Sequence, residues 1–188
     1  MKEKGIFLSG LLMFGRLLMY TVMCLIVSIT VMALLPGKLG NLIAQAFDLG
    51  IILMLPYLVI WKTGDVDRNK FNYGHIKRDN WKGFKIGLIA AAPWMVCAVL
   101  LLLARAGAIS EGYLPIYRLI NAPFLPLCQA LLPATLTLAE QNVFSVLAVA
   151  LTSLVPPVVL GLGYRLGFAR VSASEQVIYG GVPQKKRS

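Results

Sequence analysis

Residues 86–104 read IGLIAAAPWMVCAVLLLLA, nineteen positions without a charge, entered after Lys85 and closed by Arg105. A hydrocarbon core of about 30 Å takes roughly 20 apolar residues at about 1.5 Å of helical rise each. The stretch predicts a transmembrane helix, and the same test carried outward predicts three more. Residues 17–35 follow Arg16 and end at Pro36-Gly37-Lys38; residues 42–61 contain Asp48 and Pro56; residues 143–163 carry Pro156-Pro157. Proline is tolerated in such helices because neighbouring helices or water can satisfy the carbonyls it frees. Composition agrees: 58% of the 188 residues are hydrophobic and only 14% charged, against about a quarter charged in a soluble domain. No Ser/Gly-rich or Pro-rich linker divides the chain. The predicted fold class is an all-α integral membrane protein, a four-transmembrane-helix bundle forming one membrane domain.

Two apolar segments fall outside these spans. A single straight span from Ile6 would be far too long and would carry Arg16 into the membrane, so residues 6–15 predict a separate N-terminal interfacial helix. No small-x-small site follows before Pro36, which argues for a retained segment rather than a cleaved signal. Residues 106–142 are apolar but broken by Pro115, Pro123, Pro126 and Pro133. That spacing prevents a regular helix of spanning length, and predicts an extracytoplasmic interfacial or re-entrant hairpin.

Charge sets the orientation. With four spans, one side receives Lys2, Lys4, Arg16, the loop cations Lys62, Arg68, Lys70, Lys77, Arg78, Lys82 and Lys85, and Arg165, Arg170, Lys185, Lys186 and Arg187. The other keeps only Lys38, Arg105 and Arg118 out of eighteen basic residues. The positive-inside rule places the termini, the loop 62–85 and the tail 164–188 in the cytoplasm of a cell with this chain in its inner membrane. A fifth span through residues 114–136 would carry the basic tail outside. The formal net charge of +10 is thereby an orientation signal, and nucleic acid is not an expected partner.

Little in the sequence carries chemistry. Cys24, Cys97 and Cys128 form no CxxC pair, so neither a thiol relay nor a zinc site is indicated. HExxH, GxSxG and Walker patterns are absent. The run Asp65-Val66-Asp67-Arg68-Asn69 begins like a calcium loop, but Lys70 and Ile76 stand where Gly and Glu are required, leaving an Asp-rich turn. His75, the only histidine, reads as a solvated loop residue. Gly161 to Gly167 is Gly-rich without a strand–helix unit to make a phosphate cradle. Ser172-Ala173-Ser174-Glu175 is a weak capping box. The expectation is a protein with no catalytic residues, metal or cofactor.

Three features remain as candidates. Asp48 is the only acid within a span, and an intramembrane carboxylate is costly enough to be a functional hypothesis. Arg105, at the outer end of the third span, is its expected partner in an ion pair that sets helix register; the alternative is a proton- or cation-binding carboxylate. Gly83, Gly87 and Ala91 recur every fourth residue and predict a helix-packing stripe, within the chain or against a partner. Ala46 with Gly50, and Gly163 with Gly167, give shorter versions. Finally, Lys77, Arg78, Trp81, Lys82 and Lys85 mix cations with an aromatic ring, as suits contact with anionic lipid headgroups. The expected function is a non-enzymatic accessory or packing subunit, partnered by another membrane protein or by itself. The alternative is a small solute or ion transporter, or a substrate-binding membrane component, using Asp48.

Overall fold

The computed structural model describes residues 5–110, 112–133 and 135–171. Lys2, Lys4, the capping box at 172–175 and the basic cluster Lys185, Lys186 and Arg187 lie outside them. Helices α1 (Ile6–Leu34), α2 (Lys38–Asn72) and α3 (Lys82–Arg105) are followed by the short α4 (Tyr113–Ile120) and α5 (Leu125–Leu131), then α6 (Val143–Leu151) and α7 (Val155–Ala169). Turns of 3-10 helix at Ala122–Phe124 and Thr152–Leu154 join α4 to α5 and α6 to α7. No strand occurs among the described residues. α1, α2, α3 and the continuous run Val143–Ala169 are long and apolar enough to cross a membrane.

Two boundaries differ from the expectation. α1 does not break at Arg16: it is one helix of 29 residues, about 43 Å long. Its buried positions Gly10, Met13, Leu17, Thr21, Cys24 and Ser28 form one stripe, so the segment 6–15 packs as the first turns of the same helix. Arg16 is exposed at the flank of that stripe, lining a cavity with Met13, where a long stem can carry its charge toward water. α2 likewise runs past Trp61 through the expected loop to Asn72. Its buried stripe, Gly40, Ala44, Asp48, Ile52, Pro56, Ile60 and Gly64, recurs every fourth residue and continues to Asp67. Asp65 to Asn69 is therefore helix, not a turn.

The long helices are neighbours in the cyclic order α1, α2, α7, α3, while α2 and α3 sit across from each other with little direct contact. Small residues set these seams. A Cβ on Gly167 would lie 2.0 Å from the Trp61 carbonyl oxygen, and one on Gly64 would lie 2.3 Å from that of Tyr164. Neither approach is possible with a side chain. The α1–α2 connection turns at Gly37, whose φ of +102° is left-handed backbone that favours glycine.

Pro56, Pro93 and Pro156 all fall near mid-length of their helices rather than toward one end, because the helices extend beyond the apolar runs. At Pro156-Pro157 two N–H donors are missing, and the chain answers with the 3-10 turn at Thr152–Leu154. There the Thr152 and Ser153 hydroxyls donate to the carbonyls of Val149 and Ala150.

The described residues of 106–142 form a hairpin of α4 and α5, with Pro115, Pro123 and Pro126 in the first turns of α4, the 3-10 turn and α5, and Pro133 beyond the end of α5. Its tip, Asn121 to Phe124, is buried. The tip meets Leu17 and Thr21 of α1, Ile52 of α2 and Trp94 of α3 around a residual cavity of only about 10 Å³, hardly one water. It therefore reaches the mid-length of all four long helices.

Candidate functional site

Buried polar groups collect at three levels. The first is the α1–α2 seam. Cys24 and Ser28 on α1, one turn apart, face Ala44 and Asp48 on α2, also one turn apart, and all four are buried. Ser28 Oγ donates to Asp48 Oδ2, and Cys24 Sγ lies 3.8 Å from the Asp48 carbonyl oxygen. Asp48 is 0% exposed, and its second oxygen, Oδ1, has no hydrogen-bond partner.

Asp48 and Arg105 are not brought together: among the described residues no ion pair joins them. The reason is the order of the helices. Asp48 turns toward α1, whereas Arg105 closes α3 on the far side of the ring, where its Nε is buried without a partner. Position along a span was legible in the sequence; which spans adjoin was not.

The second level is the hairpin tip, where broken backbone is satisfied by side chains from the long helices. Gln45 of α2 both donates to Pro123 O (3.2 Å) and accepts from Leu127 N (3.0 Å). Trp94 of α3 donates through Nε1 to Ile120 O (3.1 Å), and Tyr117 donates to Val149 O (3.1 Å). Asn121, 3% exposed, donates through Nδ2 to Thr152 Oγ1 (2.9 Å) and to Tyr117 Oη (3.3 Å). None of these donors except Trp94 stands out by composition, and their roles follow from the tertiary approach.

The third level was missed by sequence reasoning. Asp67, placed in a loop, is a buried residue of α2 that accepts from Tyr164 Oη of α7 (3.0 Å) and from Lys82 Nζ of α3 (2.8 Å). Lys70 stands 3.9 Å away on its own helix. One carboxylate thus ties three helices. The available signal was the stripe from Gly40, which recurs every fourth residue to Gly64 and reaches Asp67 three residues further on the same face.

The stripe Gly83, Gly87 and Ala91 packs inside the chain. A Cβ on Gly83 would lie 2.3 Å from Tyr164 Cβ, and one on Gly87 would lie 2.7 Å from Pro157 Cα; Ala91 is fully buried. Gly163 and Gly167 meet α2 in the same way, at Ile60 and Trp61. Ala46 and Gly50 do not. Both are exposed on the outer face of α2, and nothing lies within 4 Å of a Cβ at Gly50.

Of the five residues expected at lipid headgroups, only Lys77 is exposed without an ion pair or ring contact. Lys82 is drawn inward to Asp67, and Lys85 pairs with Asp79 (2.9 Å). Arg78 lies over the Phe168 ring, and Arg165 covers Trp81. The hydrogen bond from Lys85, with a backbone N–H bond from Trp81, holds the Asp79 carboxyl below its ordinary pKa. Among the described residues no cluster of His, Cys, Asp and Glu suits a metal ion. Comparison of the chain with known protein families, with curated proteins and with solved structures finds no match.

Proposed function

We propose that this chain is a non-enzymatic accessory subunit of an inner-membrane complex. In this reading the four long helices form a spanning bundle, both termini are cytoplasmic, and the α4–α5 hairpin is re-entrant from the other side. Orientation is supported by the gathering of Lys70, Arg78, Lys82, Lys85, Arg165 and Arg170 around Asp65, Asp67, Asp79 and Asn80 at one end, as the positive-inside rule requires of a cytoplasmic face.

The observation that carries the subunit role is the outward pair Ala46 and Gly50. The other small-residue seams draw this chain's own helices together, whereas this one is open. A small-xxx-small face lets a second helix approach closely, and it offers that approach to a helix outside the chain. The test is purification of the tagged protein from its native membrane in nanodiscs, with the mass and composition of the particle measured. A stoichiometric second membrane protein, released by Gly50→Leu, is the expected result. A particle of this chain alone, unchanged by Gly50→Leu, sinks the proposal.

A transport reading draws on a different observation, the unpartnered Oδ1 of the fully buried Asp48. A transporter would gain thermal stability from its solute, and Asp48→Asn would abolish uptake or its pH dependence. Unchanged uptake in that variant removes the carboxylate from any mechanism.

A further inference from the structure

The carboxylates described at the basic end are all engaged. Asp65 pairs with Arg170, Asp67 with Lys82 and Tyr164, and Asp79 with Lys85. Among the described residues three arginines are left without one: Arg68, Arg78 and Arg165 together line a cavity of about 570 Å³ between the end of α2, the α2–α3 connection and α7, and no described acidic residue shares that lining. Asn80 orients two of them. Its side-chain Oδ1 accepts from Arg78 Nε at 2.7 Å, and its carbonyl accepts from Arg165 Nε at 3.2 Å. Each guanidinium is also held against a ring, Arg78 5.4 Å from the centroid of Phe168 and Arg165 4.9 Å from that of Trp81. Anchoring through Nε leaves the two-pronged Nη end of each without a partner among the described residues.

Gathering three like charges around a solvent-filled cavity is unfavourable unless an anion answers them, and a cleft of one sign concentrates such anions. The planar guanidinium fork matches the oxygens of a phosphate better than those of a spherical ion. We propose that this cavity binds a phosphate group, carried either by a soluble phosphate anion or by a lipid headgroup. The two guanidiniums positioned by Asn80 would grip its oxygens, and Arg68 would complete the charge. The site is independent of the accessory-subunit role and of the Ala46–Gly50 face.

The test uses the full-length protein in nanodiscs of phosphatidylcholine, titrated with pyrophosphate at constant ionic strength and followed by calorimetry. Saturable binding is expected, weakened at least tenfold in Arg68→Gln, whose side chain makes no hydrogen bond or ion pair among the described residues. Binding should be unchanged in Lys77→Gln, which removes the same charge outside the cavity. A second arm compares lipid retained from phosphatidylglycerol nanodiscs by native mass spectrometry. Phosphatidylglycerol held by the wild type and lost by Arg68→Gln, with no binding of pyrophosphate, makes the headgroup the source. Should Arg68→Gln melt below the wild type without anion, Arg165→Lys replaces it, since it keeps the charge and removes the fork. Undiminished binding in that variant, equal loss in Lys77→Gln, or the absence of both pyrophosphate binding and retained lipid overturns the proposal.

Discussion

Asp48 and Asp67 lie on the same helix, are buried to nearly the same degree at 0% and 3% exposure, and have opposite surroundings. Asp67 is answered by a lysine from α3 and a tyrosine from α7, whereas Asp48 has one serine and an oxygen with nothing. The difference lies in how closely the helices approach. Around Asp67, Gly64, Gly83 and Gly167 bring α2, α3 and α7 into backbone contact, so Lys82 can reach across a ring whose opposite members otherwise barely touch. At the other end the hairpin stands between α2 and α3, held by Gln45 on one and Trp94 on the other. Arg105, at the end of α3, and Arg118, within α4, each keep a buried Nε unpaired among the described residues. Close packing at one end builds an ion pair; an inserted wedge at the other prevents one.

That contrast can be broken most forcefully at Asp67. Asp67→Ala leaves Lys82 half-buried and unpaired, and should lower unfolding stability in detergent or nanodiscs by about 3–5 kcal/mol. A loss below 1 kcal/mol would show that the glycine seams alone hold this end. Next in size is Gly167→Ala, whose new methyl would overlap the Trp61 carbonyl, for a loss of about 1–3 kcal/mol. Gly50→Ala is its control and should stay within about 0.5 kcal/mol of the wild type.

Asp48→Asn should leave stability unchanged or raise it by about 1 kcal/mol, because it removes a poorly compensated buried charge and keeps a partner for Ser28. A loss larger than that would mean the carboxylate has a partner after all. The smallest effect concerns Asp79, whose carboxyl is held below its ordinary value by Lys85. A depressed acid contributes stability above the unfolded pKa of about 4, lost as the pH falls through the lower native value. Solvent-screened, this pair is worth about 0.5 kcal/mol. The melting-temperature gap between wild type and Asp79→Asn should therefore be small at pH 7 and close below pH 4.

Hydropathy found the four long helices because it measures the hydrocarbon slab, and each apolar run falls on one long helix or, for 143–163, on the continuous run of α6, 3-10 turn and α7. It misplaced their ends for the same reason. Charged residues end a slab but not a helix, so α2 continues eleven residues past Trp61 to Asn72. The prolines correctly announced that 106–142 would not form a helix of spanning length, but not that its tip would reach Thr21 and Ile52. The packing stripe at Gly83, Gly87 and Ala91 was legible as a stripe, and the structure assigned it to α7. The Asp48–Arg105 pair failed because it required knowing which helices adjoin, a property of tertiary arrangement that no single span encodes. Asp67 was hidden by its company, since a carboxylate among lysines and arginines looks solvated until the helix is seen to continue beneath it.

The hairpin tip has a consequence for the order in which the molecule is made. Asn121 finds its hydroxyl partner in Thr152, thirty-one residues later, and Tyr117 finds its carbonyl in Val149. A nascent chain that has emerged only as far as Leu132 holds the amide and the phenol but neither acceptor. The first three helices must therefore wait, with a polar wedge between them, until the last is delivered. Interruption of synthesis between these points yields a chain with every apolar helix but one and a defect at its centre, a ready mark by which quality control can tell the unfinished product from the finished one.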